Sequence, residues 1–563
     1  MIGVKSVLPE WTHGYSRKYI GKDMVAGATL AAVAIPEVLG YTSISQTPLA
    51  TGLYTIIFPT MVFALFCSSR LLVVGADSAT AALMSAGLLS LGSVNLVPYS
   101  DKWVAYTSIV AITCAALLLL ARILKLGFLG DFLSASVLIG FLTGVGIQVL
   151  SGQIPDMLGI PKGTGNWFEQ QWAWISSLSD IQWETAAFAA ATILIIVGFK
   201  KFAPRVPGAL IAVIVLTGIS AATDASSQGV AVVGDVPAGF PPIGLPKGFS
   251  LSEAFSVLGI AVSCLVLIIA QSAATGRSFA MKHGDKVDIN RDIVGLSGAN
   301  LAAGLTGTFV VNGSPTKTEI LDEQHGRSQV ANLTMAVIAL LFTMFFTSLL
   351  ADMPKAVLAG IVFLIGVGLI DILGMRTIKQ MRVSEFYIAV ATTVVVFAVG
   401  VEQGIIVAIV VSILDIIRRQ YRPASFVVSE THDDEPIYTK AEPGTQSEPG
   451  LVVFRYDSEL FYANANRFVE DIQGVVSGAP DPVRWVVLDT SAITDLDYSA
   501  GIAFKGLANY LEANGIALGV TGVDPVLLET MEHYGLGGLI PESMMFDTIE
   551  EAIAGFRASA RAF

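Results

Sequence analysis

One lysine sits where an apolar chain has little use for it. Lys317 lies in Thr308-Phe-Val-Val-Asn-Gly-Ser-Pro-Thr-Lys-Thr318, a break in an otherwise apolar run. An uncompensated ammonium in hydrocarbon is costly, so a lysine at that depth pairs with an acid or meets an anion. An earlier stretch, Leu71-Leu-Val-Val-Gly-Ala-Asp-Ser-Ala-Thr80, has the same plan: a short β-like run, a glycine, then small hydroxylic residues opening a helix. Its one charge, Asp77, has the opposite sign. A helix start leaves unpaired N–H groups and the positive end of a dipole, and two of them converging at the bilayer midplane make an anion site. Gly75 and Gly313 would let the backbone approach the ligand, with Ala76 in the same turn. Ser78, Ser314 and Thr316 can donate hydroxyls, and Lys317 supplies a point charge without a bidentate fork.

Two further segments carry polar residues inside apolar runs. Ala34-Ile-Pro-Glu-Val-Leu-Gly-Tyr41 places Glu37 mid-span beside Pro36, with Tyr41 one turn on; Ile268-Ile-Ala-Gln-Ser-Ala-Ala-Thr275 ends in polar residues. Gln271 and Thr275 are four apart and share a helix face, which must turn to the protein interior or to a water-filled cavity. Glu37 and Asp77 could carry protons, their state depending on whether an anion and Lys317 are in place. The competing readings are structural. Lys317 could simply pair with Asp77 or Glu37 and fix the packing, Glu37 could face a vestibule at a helix break, and Asp77 could be an acid favoured at a helix start.

The elements that position these residues follow from composition. The 563 residues are 53% hydrophobic and 14% charged, with mean hydropathy +0.67, which implies a polytopic membrane protein. Apolar segments long enough to cross about 30 Å of hydrocarbon recur up to residue 417. Fourteen spans are expected near 23–43, 50–67, 73–91, 103–121, 128–150, 181–199, 207–223, 254–275, 291–306, 313–325, 328–350, 355–371, 384–400 and 403–418. With the N-terminus cytoplasmic, 21 Lys and Arg of residues 1–425 fall inside, Lys5 and Arg205 among them, and four fall outside: Lys102, Lys162, Lys247 and Lys355. That asymmetry supports an even span number with both termini cytoplasmic. The two special stretches are the third span of each group of seven, so the halves form an inverted repeat with discontinuous spans 3 and 10.

After residue 422 the character changes. Residues 426–563 hold 22 acidic and 7 basic residues, against 24 and 26 in residues 1–425, so the net charge of −13 belongs to the tail. Residues 423–450, rich in Pro, Gly and acids, read as a linker. From 451 on, strands at 451–454, 485–488 and 516–521 alternate with helices at 464–477 and 499–513, a small α/β domain. Cys67, Cys114 and Cys264 lack metal-ligand spacing, as do the five histidines, and no phosphate-loop pattern occurs. Residues 1–22, a cytoplasmic N-terminal segment, do not resemble a cleavable signal peptide. No nucleophile–base pair or nucleotide loop stands out, so no enzyme, cofactor, metal or nucleic-acid partner is expected.

These stretches resemble the sulfate permease family, bacterial relatives of the mammalian solute carrier family 26. The likeness runs through Ile35-Pro-Glu-Val-Leu-Gly-Tyr41, Gly52-Leu-Tyr54, Ala64-Leu-Phe66, Ser68-Ser-Arg70 and Val74-Gly-Ala-Asp-Ser-Ala79. It continues in Arg277-Ser-Phe-Ala280, His283-Gly284, Asn300-Leu-Ala-Ala-Gly304 and Gly313-Ser-Pro-Thr-Lys-Thr318. Leu488-Asp-Thr-Ser-Ala-Ile-Thr-Asp-Leu-Asp-Tyr-Ser499 is similar to the signature of the sulfate transporter and anti-sigma-factor antagonist (STAS) domain. The resemblance implies a transport core of spans 1–4 and 8–11, a gate of spans 5–7 and 12–14, and a homodimer that moves its anion by an elevator-like shift. It places the anion between spans 3 and 10, and the repeat symmetry of the broken spans gives the expected substrate contacts as Glu37, Tyr41, Gly75, Ala76, Asp77, Ser78, Gln271, Thr275, Gly313, Ser314, Thr316 and Lys317.

Two departures bear on the substrate. Lys317 stands where the family often has arginine, which weakens the case for fork-like recognition of a planar carboxylate or bicarbonate. Gln271 stands where many members carry an acid, which removes the charge a Na⁺ site would need. The expectation is therefore a secondary transporter of a small inorganic oxyanion, sulfate first, coupled to H⁺ through Glu37 and Asp77, in a bacterial inner membrane. Bicarbonate or C4-dicarboxylate transport and anion exchange are the alternatives, and an anion channel or sensor is a second. Ser499 aligns with the position phosphorylated in antagonist proteins, with Ala500 in place of the usual glycine, and the tail could bind a cytoplasmic protein.

Overall fold

The computed structural model describes residues 10–12, 15–91, 96–125, 134–163, 166–203, 206–247, 250–432 and 435–560. It separates into two compact units, Met1–Ser412 and Ile413–Phe563. The first begins with α1 (Ile20–Ser45), α2 (Leu49–Tyr54), α3 (Phe58–Phe66), β1 (Val74–Gly75), α4 (Ser78–Ser90) and α5 (Asp101–Ile123). Next come α6 (Ala135–Leu158), α7 (Trp167–Ser176), α8 (Trp183–Phe202) and α9 (Gly208–Thr223). They are followed by α10 (Leu251–Ser256), α11 (Leu258–His283), α12 (Ile289–Leu305), β2 (Asn312–Gly313), α13 (Pro315–Glu323) and α14 (Gln329–Phe345). The last four are α15 (Lys355–Leu369), α16 (Ile372–Met381), α17 (Val383–Ala398) and α18 (Val401–Tyr421).

Each of the fourteen expected segments falls on helix, and seven helical stretches among the described residues are long and apolar enough to cross a membrane. Residues 128–133 of the fifth segment, and Lys5 and Arg205, lie outside the described residues. The short helices α7 and α16 occupy stretches where no span was expected. Boundaries follow local chemistry: the Ser100 hydroxyl accepts the Trp103 N–H at 3.2 Å to start α5, and Gly159, with φ 68°, ends α6.

Two packing groups emerge. The helix α12 packs on α5 and α3, α1 on α14, and α11 on α4 and α5; α6 lies against α15 and α17, and α8 against α9 and α15. Backbones meet closely where glycine permits. A Cβ on Gly27 of α1 would lie 2.3 Å from the Ala331 carbonyl oxygen of α14, and one on Gly140 of α6 2.3 Å from that of Ala389 on α17. Gly140→Ala should therefore lower stability by about 1–3 kcal/mol through overpacking, seen as a lower unfolding temperature in detergent. Gly198→Ala, with nothing within 4 Å of the new methyl, is the control and should not lose stability.

The second unit holds a six-stranded sheet. Its strands are β3 (Ser425–His432), β4 (Glu435–Lys440), β5 (Leu451–Tyr456), β6 (Trp485–Asp489), β7 (Ala517–Thr521) and β8 (Met545–Phe546), in the order β4-β3-β5-β6-β7-β8. Strands β5 to β8 pair in parallel, with Val453 opposite Val487 and Val487 opposite Gly519. The helices α19 (Ala465–Gly478), α20 (Tyr498–Ala513), α21 (Pro525–His533) and α22 (Ile549–Ala560) cover it. The expected linker needs correction here: within residues 423–450, β3 and β4 form an antiparallel hairpin that extends the sheet. Pro436 is compatible with that because β4 is the edge strand, where a missing N–H breaks no ladder.

Candidate functional site

The two broken segments meet. Strands β1 and β2 pair antiparallel, Val74 opposite Gly313 and Gly75 opposite Asn312, and the Ser314 N–H donates to the Val73 carbonyl at 2.9 Å. Non-helical backbone at membrane depth must find partners inside the protein, and buried side chains supply many of them. Gln329 donates to the Ser69 and Leu72 carbonyls, both at 3.0 Å, and Asn332 to Leu72 at 3.1 Å. Asn300 treats Val311 as a neighbouring strand would, donating to its carbonyl and accepting its N–H, both at 3.0 Å. Thr60 donates to the Val74 carbonyl at 2.6 Å, and Thr318 accepts the Val73 N–H at 3.1 Å.

Each break then opens a helix. The Asp77 carboxylate accepts the Ala79 N–H at 3.0 Å and caps α4, while the Ser314 hydroxyl accepts the Lys317 N–H at 3.4 Å and caps α13. Pro315 at the first position of α13 costs no hydrogen bond, since that N–H would be unpaired anyway. Lys317, wholly buried, reaches from α13 to the turn before α4: its Nζ donates to the Ala76 carbonyl at 2.9 Å. It lies 3.1 Å from Glu37 Oε2 and 4.8 Å from the centre of the Tyr41 ring. The Tyr41 hydroxyl donates to the other Glu37 oxygen. Lys317 thus has Glu37 as its ion-pair partner, and Asp77 is engaged as a helix cap.

Glu37 Oε2, although in ion-pair contact, lies off the hydrogen-bond direction and has no hydrogen-bond donor among the described residues. The Glu37 side chain is 15% exposed, and Thr316, whose hydroxyl is 3.2 Å from that of Ser314, is exposed. One side of the cluster is therefore accessible while Lys317 is shut behind it.

The glycines are required by packing. A Cβ on Gly75 would lie 2.8 Å from Ile56 Cγ2, and one on Gly313 2.8 Å from Ser272 Oγ. The space a side chain would take is already filled by protein, which by itself favours glycine at both positions.

Gln271 and Thr275 are both buried on α11, but only Gln271 reaches the break by its side chain. Asn312 donates to Gln271 Oε1 at 2.6 Å and accepts from the Ser272 hydroxyl at 2.8 Å, and Ser272 accepts the Gly313 N–H at 3.0 Å. The Thr275 hydroxyl returns to the Gln271 carbonyl of its own helix at 2.8 Å. Asn312, the hub of this network, was not among the expected site residues, nor were Asn300, Gln329 and Asn332. Their signal was a carboxamide side chain inside an apolar span. In the second unit, Ser499 is exposed at the second position of α20, two residues after the Asp497 cap, which accepts the Ala500 N–H at 2.8 Å.

Comparison with known proteins covers both units. The profile of the Sulfate permease family matches residues 20–392, and that of the STAS domain residues 442–552. A "Probable sulfate transporter" of Mycobacterium tuberculosis is 31% identical over 549 residues, 96% of either chain. Sulfate transporter 1.3 of Arabidopsis thaliana is 26% identical, over 98% of this chain and 88% of its own. Among solved structures, the murine Solute Carrier 26 family member A9 anion transporter, in the inward-facing state, superposes with a TM-score of 0.88. It is 21% identical and covers 99% of this chain and 94% of its own. The transmembrane domain of a cyanobacterial bicarbonate transporter gives 0.59 at 23% identity, over 71% of this chain and 98% of its own.

Proposed function

The chain belongs to the sulfate permease family, and from that premise we propose that it carries a small inorganic oxyanion, sulfate first, across the membrane by alternating access with H⁺ as the coupling ion. The observation that carries this reading is the Lys317–Glu37 contact at the crossing of the two broken segments. An ammonium has three donors; here one holds the Ala76 carbonyl, and Glu37 is the internal counter-ion. A proton on Glu37 cancels that counter-ion and leaves the Lys317 charge to a visiting anion. Proton and anion then bind together, and loss of the proton restores the internal pair and expels the anion. Glu37 Oε2, which accepts no hydrogen bond among the described residues, is where the proton would sit.

The sulfate preference leans on the names of the mycobacterial and plant relatives. Bicarbonate is the alternative that the same assay tests. The two packing groups support the division into a moving core of α1–α5 with α11–α14 and a gate of α6, α8, α9 and α15–α17, and the Ser412 hydroxyl of α18 reaches that of Ser134, the cap of α6, at 3.4 Å. A homodimer, cytoplasmic termini and a STAS domain bound by a cytoplasmic protein complete the proposal. Ser499 is its candidate phosphorylation site, because a helix N-terminus favours phosphate.

Reconstituted in liposomes, the full chain should take up labelled sulfate faster under an inward H⁺ gradient. Failure to move sulfate with or without the gradient would end the sulfate reading. Glu37→Gln, which imitates the protonated acid, should keep anion binding but lose the response to the gradient. Asp77→Asn, tested beside it, should still follow the gradient if Asp77 serves only as the cap of α4; a flat response would return it to proton coupling.

A further inference from the structure

Two cavities of about 200 and 370 Å³ lie between α1, α4, α6 and α15, at the end of the membrane unit where α1 stops. They share Ser43, Gln153 and Lys162, so together they form one groove. Ser43 is six residues beyond Glu37 on the same helix, about 9 Å along its axis at 1.5 Å per residue. The groove therefore begins within two turns of the Lys317 site. Small residues, among them Ala82, Ser85 and Gly152, keep it open.

Its polar groups are poorly satisfied. Gln153 is 5% exposed, lines both cavities, and its Oε1 has no hydrogen-bond partner among the described residues; Gln148 Oε1, at the deeper end, has none either. A buried amide oxygen left without a donor is costly, and a water or other hydrogen-bond donor entering the groove would recover that cost. Three charged residues line the groove: Asp156, Lys162 and Lys355. Lys162 is paired with Asp156 at 2.6 Å, whereas Lys355, exposed at the start of α15, has no ion-pair partner among the described residues. The lining is thus left with one uncompensated positive charge, which selects an anion over a cation.

We propose that Gln153, Lys162 and Lys355 form a second anion site, a waiting station for a small oxyanion at the end of the membrane unit where α1 stops. The guest's oxygens meet the two ammonium groups and the Gln153 amide NH₂, and its hydration water donates to an amide oxygen. The choice of guest rests on the anion-transport reading above. The cavity lies between α1 and α4 on one side and α6 and α15 on the other, and the three residues that hold the anion all belong to the latter side.

The test is cysteine protection in the full-length protein in membranes. The three native cysteines are buried, so Ser43→Cys reports the groove against a low background when an anionic methanethiosulfonate is added. Sulfate, hydrogencarbonate and chloride are the probes. Sulfate should slow modification several-fold; Lys355→Gln should remove the protection and Lys355→Arg keep it. In uptake assays Lys355→Gln should raise the KM for sulfate presented at that face by about 3- to 10-fold without lowering the maximal rate, the size expected for a steering charge. The increase should shrink at high salt as the charge is screened. Modification insensitive to all three ions, or protection unchanged in Lys355→Gln, overturns the site. Protection without any sulfate uptake upholds the site and removes the transport reading; uptake with no protection does the reverse.

Discussion

Lys317→Met should lower labelled sulfate uptake by about 100-fold or more at equal protein in the membrane. The substitution removes the buried cation that, among the described residues, stands alone at the crossing of β1 and β2, and leaves Glu37 without its counter-ion. Breaking a buried pair by deleting one partner costs about 3–5 kcal/mol, about two to nearly four powers of ten in an equilibrium constant. A loss of that size could come from misfolding alone, so the companion variant matters. Glu37→Gln/Lys317→Met removes both members of the ion pair and should recover part of the thermal stability lost in the single variant. Its uptake should stay abolished, because no cation remains to meet the anion. Uptake that returns together with stability would show Lys317 to be a packing residue. Lys317→Arg keeps the charge but brings a planar fork, and should retain transport with relative rates shifted toward planar anions such as bicarbonate.

Asn312→Ala should be the most damaging neutral substitution in the membrane unit. It strips the donor from Gln271 Oε1 and the acceptor from the Ser272 hydroxyl, both buried, at about 1–3 kcal/mol each. Ser272 also accepts the Gly313 N–H, so the disturbance passes into β2 and from there to the start of α13, which carries Lys317. Uptake should fall by at least about tenfold, with an unfolding temperature in detergent several degrees below the parent's. Thr275→Val should be much milder on both measures, since that hydroxyl only returns to its own helix. Equal effects of the two would mean that the Asn312 network does not position the site.

Much of the organisation is legible in the chain itself because it depends on local properties. Whether a segment of about 20 residues enters hydrocarbon is set by its own transfer free energy, and a glycine followed by hydroxylic residues marks a helix start in any context. The positions of α1, α5 and α11, the broken segments at β1–α4 and β2–α13, and the strands β5, β6 and β7 follow from such signals. The linker reading went astray for a related reason. Pro and acidic clusters at 423–450 look disordered by composition, but an edge hairpin tolerates both once a sheet exists to receive it.

Only the tertiary structure decides who meets whom. Lys317 and the Ala76 carbonyl are 241 residues apart in the chain, and no local pattern says whether the lysine answers Glu37 or Asp77. The choice depends on where α1 and α4 stand around α13, with Asp77 already engaged by the N–H groups of its own helix. The role of Gly75 and Gly313 likewise rests on Ile56 and Ser272 filling the space a side chain would take. Asn312 becomes a hub because the segments it joins have exposed their backbone to one another and hydrocarbon offers them no water. Residue type and spacing determined that a charge would be buried here; packing determined what neutralises it.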